Sequence, residues 1–347
     1  MSGVSKAIVQ PLLSWYDAGH RDLPWRSEPA PYRVWVSEIM LQQTRVEAVR
    51  GYFSRWMNAL PDIPALAAAD EAVYTKLWEG LGYYSRVRNL HRAAVLLCEQ
   101  YGGELPADYD RLLALPGVGE YTAGAVASIA FGLPVPAVDG NVLRVAARLD
   151  NDFTPITDAK FKKQTRERFA ALMPSDRPGD LNQSLMELGA TVCLPNGAPR
   201  CADCPIQHLC EGFHRGNAAV LPLRAAKKAR RVENRTVLVV RCGQLVGLRQ
   251  RPKKGLLAGL WELPSLDGHL SPDELRAALT EMGWSVRKLL SLRPAKHIFT
   301  HVEWHMNGVY VELDAPAPAL TFVTPAELRD AYALPSAFRS FVSVLED

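Results

Sequence analysis

With 347 residues the chain is too long for one ordinary domain and long enough for two, each with its own core. An apolar fraction of 48% excludes an intrinsically disordered protein, and no apolar run approaches the length of a bilayer span. Forty basic against 37 acidic side chains leave a net charge of +3, which permits a polyanionic partner without demanding one.

Met1–Leu13 lacks the apolar stretch of a secretory signal, so a soluble, cytoplasmic protein without membrane contact is expected. From there to about Gly216 the pattern is helical. Val46, Val49, Phe53, Trp56, Met57 and Leu60 recur at spacings of three and four, as one buried helical stripe requires. Similar periods run through Leu90–Leu97, Thr122–Ala130, Val142–Leu149 and Phe161–Leu172, with Pro and Gly punctuating short connections. A basic stretch then carries Arg215, Arg224, Lys227, Lys228, Arg230, Arg231 and Arg235 against one acid, Glu233. It reads as a linker, either simply solvated or able to lie along a phosphate backbone. After Asn234 the period changes. Thr236–Val240 and Leu245–Arg249 predict a hairpin around Cys242-Gly243-Gln244, Ser271–Gly283 a helix, and His297–Thr300 and Val302–Leu313 further strands.

Cys193, Cys201, Cys204 and Cys210 have the spacing C-x7-C-x2-C-x5-C. Four thiolates so close in sequence can enclose one metal centre, and the loop-like Leu194–Pro199 between them is expected to owe its order to it. A zinc ribbon normally offers two CxxC pairs, and this segment has one. Uneven spacing favours an iron–sulfur centre, with zinc and structural disulfides as the alternatives. Cys98, on an apolar helical face, and Cys242, in the expected turn, are read as reduced and unligated.

Leu115-Pro116-Gly117-Val118-Gly119-Glu120-Tyr121-Thr122-Ala123 places two glycines around an apolar residue at the start of a helix. Gly117, Val118 and Gly119 could present backbone amides and a positive helix end to a phosphate, without reading sequence. Glu38 lies among apolar residues, which would raise its pKa, and Asp139 precedes Gly140. From these residues alone each acid could equally be solvated or cap a helix.

The hairpin, the cysteine cluster and Val138-Asp139-Gly140-Asn141-Val142 together resemble the helix-hairpin-helix DNA glycosylases that carry a 4Fe–4S cluster. Within them the resemblance is to the adenine-specific mismatch glycosylases, the MutY family. Leu23–Arg26, Ser37–Thr44, Gly80–Arg86 and Gly255–Glu262 match as well. The fold class implied is an all-α glycosylase domain with an iron–sulfur loop, followed by an α+β Nudix-like domain. The implied boundaries are residues 1–215 (a six-helix lobe at about 28–135, a cluster lobe of 1–27 with 136–215), a linker at 216–235, and 236–347. One departure is seven residues between the first two cluster cysteines, where the family usually has six.

The resemblance implies that Glu38 protonates adenine and activates water while Asp139 stabilises the sugar cation, with Tyr121 and Asn141 orienting them. Trp25, Arg26, Leu41 and Gln183 are implied to line the adenine pocket, and Gln43, Thr44, Leu81 and Tyr83 to fill or probe the gap in the duplex. In endonuclease III-like relatives a lysine at the place of Tyr121 cleaves the strand through a Schiff base. Tyrosine cannot do that, so the chain is expected to leave an abasic site. In the second domain, Arg276–Gly283 keeps one of the three glutamates of a Nudix metal site, which argues for binding rather than hydrolysis. Phe299-Thr300-His301 matches a Phe-Ser-His loop that recognises 8-oxoguanine. His297, His301, Glu303 and His305 could be drawn as a zinc site only if the strand ran unbroken through them. The expected activity is monofunctional removal of adenine opposite 8-oxoguanine or guanine in double-stranded DNA, by a monomer working on the nucleoid. A bifunctional glycosylase/lyase and a non-catalytic iron–sulfur DNA-binding protein are the rivals.

Overall fold

The computed structural model describes residues 4–224 and 229–345. Lys227 and Lys228 of the expected linker lie outside the described residues. By its internal contacts the chain divides into two compact units. One comprises Met1–Ala68 with Ser85–Ala226, the other Ala69–Tyr84 with Lys227–Asp347.

The first unit is helical. Its helices are α1 (Val9–Gly19), α2 (Pro31–Leu41), α3 (Val46–Ala59) and α4 (Ile63–Ala67). After α5 (Glu71–Leu77), which falls in the second unit, come α6 (Ser85–Tyr101), α7 (Tyr109–Leu113), α8 (Glu120–Phe131) and α9 (Gly140–Leu149). The series closes with α10 (Ala159–Ala170), α11 (Pro178–Thr191) and α12 (Glu211–His214). Local chemistry starts them. Asp62, Asp108, Asp139 and Asp158 cap α4, α7, α9 and α10 by accepting from first-turn amides, and Pro opens α2 and α11.

Packing then fixes their arrangement. α11 lies against α1, α8 and α9, and α2 lies against α8 and α3. Ile8, Leu12, Val142, Val145, Phe169, Leu181, Leu185 and Leu188 form a core that extends to Ile206, inside the cysteine segment. That segment has packing of its own: Ile206 is buried, and Gly212 packs so tightly that an added Cβ would sit 2.5 Å from Arg148 O. Residues 216–224, read as linker, also pack here; Leu221 is buried and Ile156 N donates to Leu223 O at 3.1 Å.

The second unit contains β1 (Arg231–Cys242), β2 (Leu245–Gln250), β3 (Trp261–Glu262), β4 (Ser265–Asp267) and α13 (Pro272–Glu281). Then follow β5 (Val286–Ser291), β6 (Ala295–Ile298), β7 (Val302–Leu313), β8 (Thr321–Val323), α14 (Pro325–Ala331) and α15 (Arg339–Val342). The described strands make one mixed sheet in which β1 runs parallel to β7 and antiparallel to β2. Alternation along β1 feeds two cores: Val237 and Val239 join Trp304, Phe338 and Phe341, while Leu238 and Val240 join Leu275, Leu279 and Trp284. Three expectations shift, the first being the strand read at His297–Thr300, which runs over Ala295–Ile298. Strand β1 begins at Arg231, five residues before the expected start, because Arg231–Arg235 pair with Val302–Met306. Cys242 closes β1 opposite Leu245 instead of occupying the turn.

Candidate active site

Helix α2 carries Glu38 inward, and α8 brings Tyr121 to it. The Tyr121 hydroxyl donates to Glu38 Oε2 at 2.5 Å. Glu38 is 6% exposed, and burial pushes its carboxyl up to about 7. The Tyr121 hydrogen bond pulls the other way, the Asp139 charge adds to the rise, and Arg26 opposes it. Burial first, and then the Glu38 charge, hold the Tyr121 phenol well above its usual value, so it acts as a donor and not as a base.

Asp139 is the N-cap of α9. Its Oδ1 accepts from the amides of Asn141 and Val142, both at 2.8 Å, and its Oδ2 accepts from Asn141 Nδ2 at 2.7 Å. Burial raises this carboxyl, while the three N–H donors and Arg144 work against the rise. Donors to both oxygens match an ionised carboxylate. Of the two alternatives left open by the sequence, the helix cap is the one found, and the capping Asp139 also faces the same cavity as Glu38. Asn141 is fixed in turn by Arg144 Nη2, which donates to Asn141 Oδ1 at 2.8 Å and to Gly189 O at 2.7 Å. Only glycine fits there, since a Cβ at 189 would fall 2.6 Å from Asn141 Cβ.

That cavity has a volume of about 480 Å³, within the range of small-molecule pockets. Glu38, Tyr121, Asp139, Asn141, Trp25, Arg26, Leu41, Gln43, Thr44 and Gln183 all line it. Arg86 supports its rim by donating from Nη1 to the carbonyls of Ile39, Met40 and Gln42, which closes the end of α2. Beyond that cap Gln43 takes φ +58. Leu81, Tyr83, Phe299, Thr300 and His301 belong to the second unit and lie outside the cavity.

Two charged lining residues escaped the sequence reading, Arg21 and Glu187. Arg21 Nε donates to Glu187 Oε1 at 2.6 Å and Arg26 Nη2 to Glu187 Oε2 at 2.8 Å. Burial alone would raise the Glu187 carboxyl, but Arg21 and Arg26 outweigh it and hold it below its usual value. The clamp fixes Arg26 at the cavity wall. A signal was present: Glu187 is one turn beyond Gln183 on α11, on the same helical face.

At the hairpin, Gly117 adopts φ +77, and an added Cβ would meet Asn89 Cβ at 2.5 Å. Val118 differs from the expectation that its amide points outward. Its side chain is buried and its N–H donates to Leu115 O at 3.1 Å. The donors left for a phosphate are those at the start of α8, where Gly119 is the N-cap.

Cys193, Cys201, Cys204 and Cys210 line one recess together with Arg148 and apolar side chains including Val145, Leu149 and Ile206. All four are free thiols. Burial, reinforced by the other cysteines, pushes Cys204 up to about 12 and raises Cys210 and Cys201. Ionising these thiols together would need a compensating positive charge among them. Arg148 Nη1 donates to Cys193 Sγ at 3.1 Å. Among the described residues no three His, Cys, Asp or Glu side chains converge closely enough for a single ion.

In the second unit, residues 299–301 form a turn between β6 and β7, so the drawn zinc set does not share one strand. Glu303 is engaged by Lys296 at 2.5 Å and by His305 Nε2 at 2.7 Å, and His297 packs edge-on against Phe299. On α13, Glu274 is spent in a capping box with Ser271.

Residues 36–172 match the HhH-GPD superfamily base excision DNA repair protein model, and residues 236–344 match the NUDIX domain model. The adenine DNA glycosylase of Mus musculus is 38% identical over 401 aligned positions, covering 97% of this chain and 77% of that one. The chain belongs to the adenine DNA glycosylase family. The Mycolicibacterium smegmatis adenine DNA glycosylase is 41% identical over 235 positions, covering 66% and 79%. A solved thermostable thymine-DNA glycosylase superposes with a TM-score of 0.54 at 27% identity, covering 60% of this chain and 96% of that one. Within the adenine DNA glycosylase family, then, the helical glycosylase unit precedes a Nudix-like unit with a mixed sheet.

Proposed function

We propose that this protein removes adenine paired with 8-oxoguanine, or with guanine, from double-stranded DNA by hydrolysing the N-glycosidic bond and leaving the strand intact. The observation that carries this reading is the 2.5 Å contact between Tyr121 and a buried Glu38, in a cavity shared with Asp139. A carboxyl raised to about 7 still holds its proton near neutrality, and Glu38 can deliver that proton to the departing purine. As the sugar–base bond breaks, positive charge builds on the sugar, and the ionised Asp139 is placed to stabilise it. Glu38, now a carboxylate, takes a proton from the water that adds to the sugar carbon.

A paired adenine reaches the cavity only by leaving the stack, at a cost of roughly a few kcal/mol. Trp25 and Leu41 supply apolar walls, and the Glu187-clamped Arg26 supplies fixed donors. Strand cleavage through a Schiff base needs an amine nucleophile. Among the described residues lining the cavity there is no lysine, and Tyr121 is held as a donor. In the second unit, Thr300 would read the base opposite adenine; threonine keeps the hydroxyl donor and acceptor and adds a methyl.

The four-thiol recess fits a 4Fe–4S cluster, with Cys193, Cys201, Cys204 and Cys210 as ligands. Bound there, the cluster would supply structural order to the loop and balance the thiolate charge. We place the protein on the nucleoid as a monomer, since each unit it needs for the reaction is in one chain.

A single-turnover assay on duplexes with adenine opposite 8-oxoguanine, guanine, cytosine or thymine tests the proposal. Adenine should leave the first two, with strand breaks only after alkali. Breaks without alkali, trapped by borohydride, would favour a lyase; no release at all would end the reading.

A further inference from the structure

Residues Ala69–Tyr84 interrupt the helical unit in sequence and belong by their contacts to the second unit. Their fastenings are specific. Leu334 N donates to Glu79 Oε1 at 2.7 Å, Lys76 Nζ donates to Tyr332 O at 3.1 Å, and Lys76 pairs with Glu79 at 2.7 Å. At the far end of the segment the Tyr83 hydroxyl lies 3.0 Å from Thr300 Oγ1. Between these anchors the backbone turns through positive φ at Gly80 (97°), Gly82 (70°) and Tyr83 (48°). A tyrosine rarely adopts that conformation, and such a turn persists where its surroundings over-determine it. Inside the turn, Trp78 Nε1 donates to Gly82 O at 3.1 Å. Glu79 lies within this turn, directly before Gly80.

We propose that Glu79 is a positioning residue for partner-base selection: by accepting from Leu334 and pairing with Lys76 it fixes the turn that presents Tyr83 beside Thr300. The inference rests on the reading above, in which Thr300 reads the base opposite adenine, and Tyr83 is the side chain whose hydroxyl meets that of Thr300. Without Glu79 the segment keeps its Lys76 contact to Tyr332 but loses the backbone anchor adjacent to Gly80. The hydroxyl pair is then no longer held in one geometry, and a lesion that offers extra hydrogen-bonding groups loses its advantage over guanine.

The test is single-turnover adenine release from 8-oxoguanine:A and guanine:A duplexes by the full chain and by Glu79→Ala and Glu79→Gln. The lost bond is charge-assisted, so Glu79→Ala should lower the ratio of the two rates roughly tenfold, with the guanine:A rate and the melting temperature nearly unchanged. Glu79→Gln keeps an acceptor for Leu334 N and should recover most of the ratio. A merely structural role would slow both substrates together, so equal losses, or an unchanged ratio, overturn the proposal. Should Glu79→Ala not melt cooperatively, Lys76→Met takes its place, with a severalfold drop in the ratio expected and no drop fatal. If the parent protein releases adenine from neither duplex, the functional reading fails and not this one.

Discussion

The Arg144 guanidinium bridges the two chemistries of the helical unit: Nε donates to Cys193 O at 2.8 Å, and Nη2 donates to Asn141 Oδ1 at 2.8 Å. The backbone of Cys193 is thereby tied to the side chain that donates to Asp139. Arg144 touches neither carboxylate directly in the described hydrogen bonds. Its removal should therefore act through geometry. We expect Arg144→Ala to slow adenine release by about 100-fold, the order of effect of an ångström-scale misplacement of a reacting group. Duplex affinity should change little. Release at the parental rate would show that Asn141 holds its position unaided.

A proton donor must be protonated to work. With Glu38 raised to about 7, first by burial, the rate of adenine release should fall as pH rises through that value. Tyr121→Phe removes a hydrogen bond that favours the carboxylate, so the alkaline limb of the pH–rate profile should move upward. A limb that stays in place would separate Tyr121 from the titration. Glu38→Gln, which cannot cycle a proton, should lose about 10²–10⁴ in rate while still binding duplex.

The same burial has a stability consequence. The folded carboxyl titrates above its ordinary 4.5, so the folded state holds the proton more tightly than the unfolded chain does. The stability it contributes is complete below about 4.5 and is lost as pH rises through about 7. Glu38→Gln should accordingly melt higher than the parent at pH 8, with the gap shrinking toward pH 5; a gap independent of pH would contradict the burial argument.

Thr300 reaches the partner base, on our reading, through its hydroxyl. Thr300→Ala should narrow the preference for 8-oxoguanine over guanine by at least about tenfold, the upper end of the net worth of one hydrogen bond, while Thr300→Ser should preserve it. Equal preference before and after would remove Thr300 from lesion reading.

Iron and acid-labile sulfide are expected in the purified protein. Cys204→Ser should lower both and destabilise the segment around Ile206, read as increased proteolysis between Cys193 and Cys210. Stoichiometric zinc without sulfide would overturn the cluster assignment.

Much of the fold was legible because its signals are local. The stripe from Val46 to Leu60 became α3, and Ser271 with Pro272 opened α13 as read. Strand β7 runs from Val302 to Leu313, the bounds its alternation gave. The start of β1 was not legible, because Arg231–Arg235 look like a charged linker until β7 offers them a pairing edge. Nor was the amide of Val118, whose acceptor at Leu115 depends on the turn that Gly117 permits.

The chain's residue types alone limited the chemistry to an acid in apolar surroundings, a second acid beside a glycine and four thiols in one stretch; that Tyr121 stands where a lyase would need an amine came from the family resemblance. Tertiary packing decided the rest, since proton affinity depends on neighbours distant in sequence. Glu38 and Tyr121 are 83 positions apart and meet at 2.5 Å, and burial, working against that hydrogen bond with the charges of Asp139 and Arg26 beside it, sets the carboxyl near neutrality. Glu187 and its two arginines, 166 and 161 positions away, are a clamp for the same reason. Such pairings carry no local period, and they exist only once the helices have packed.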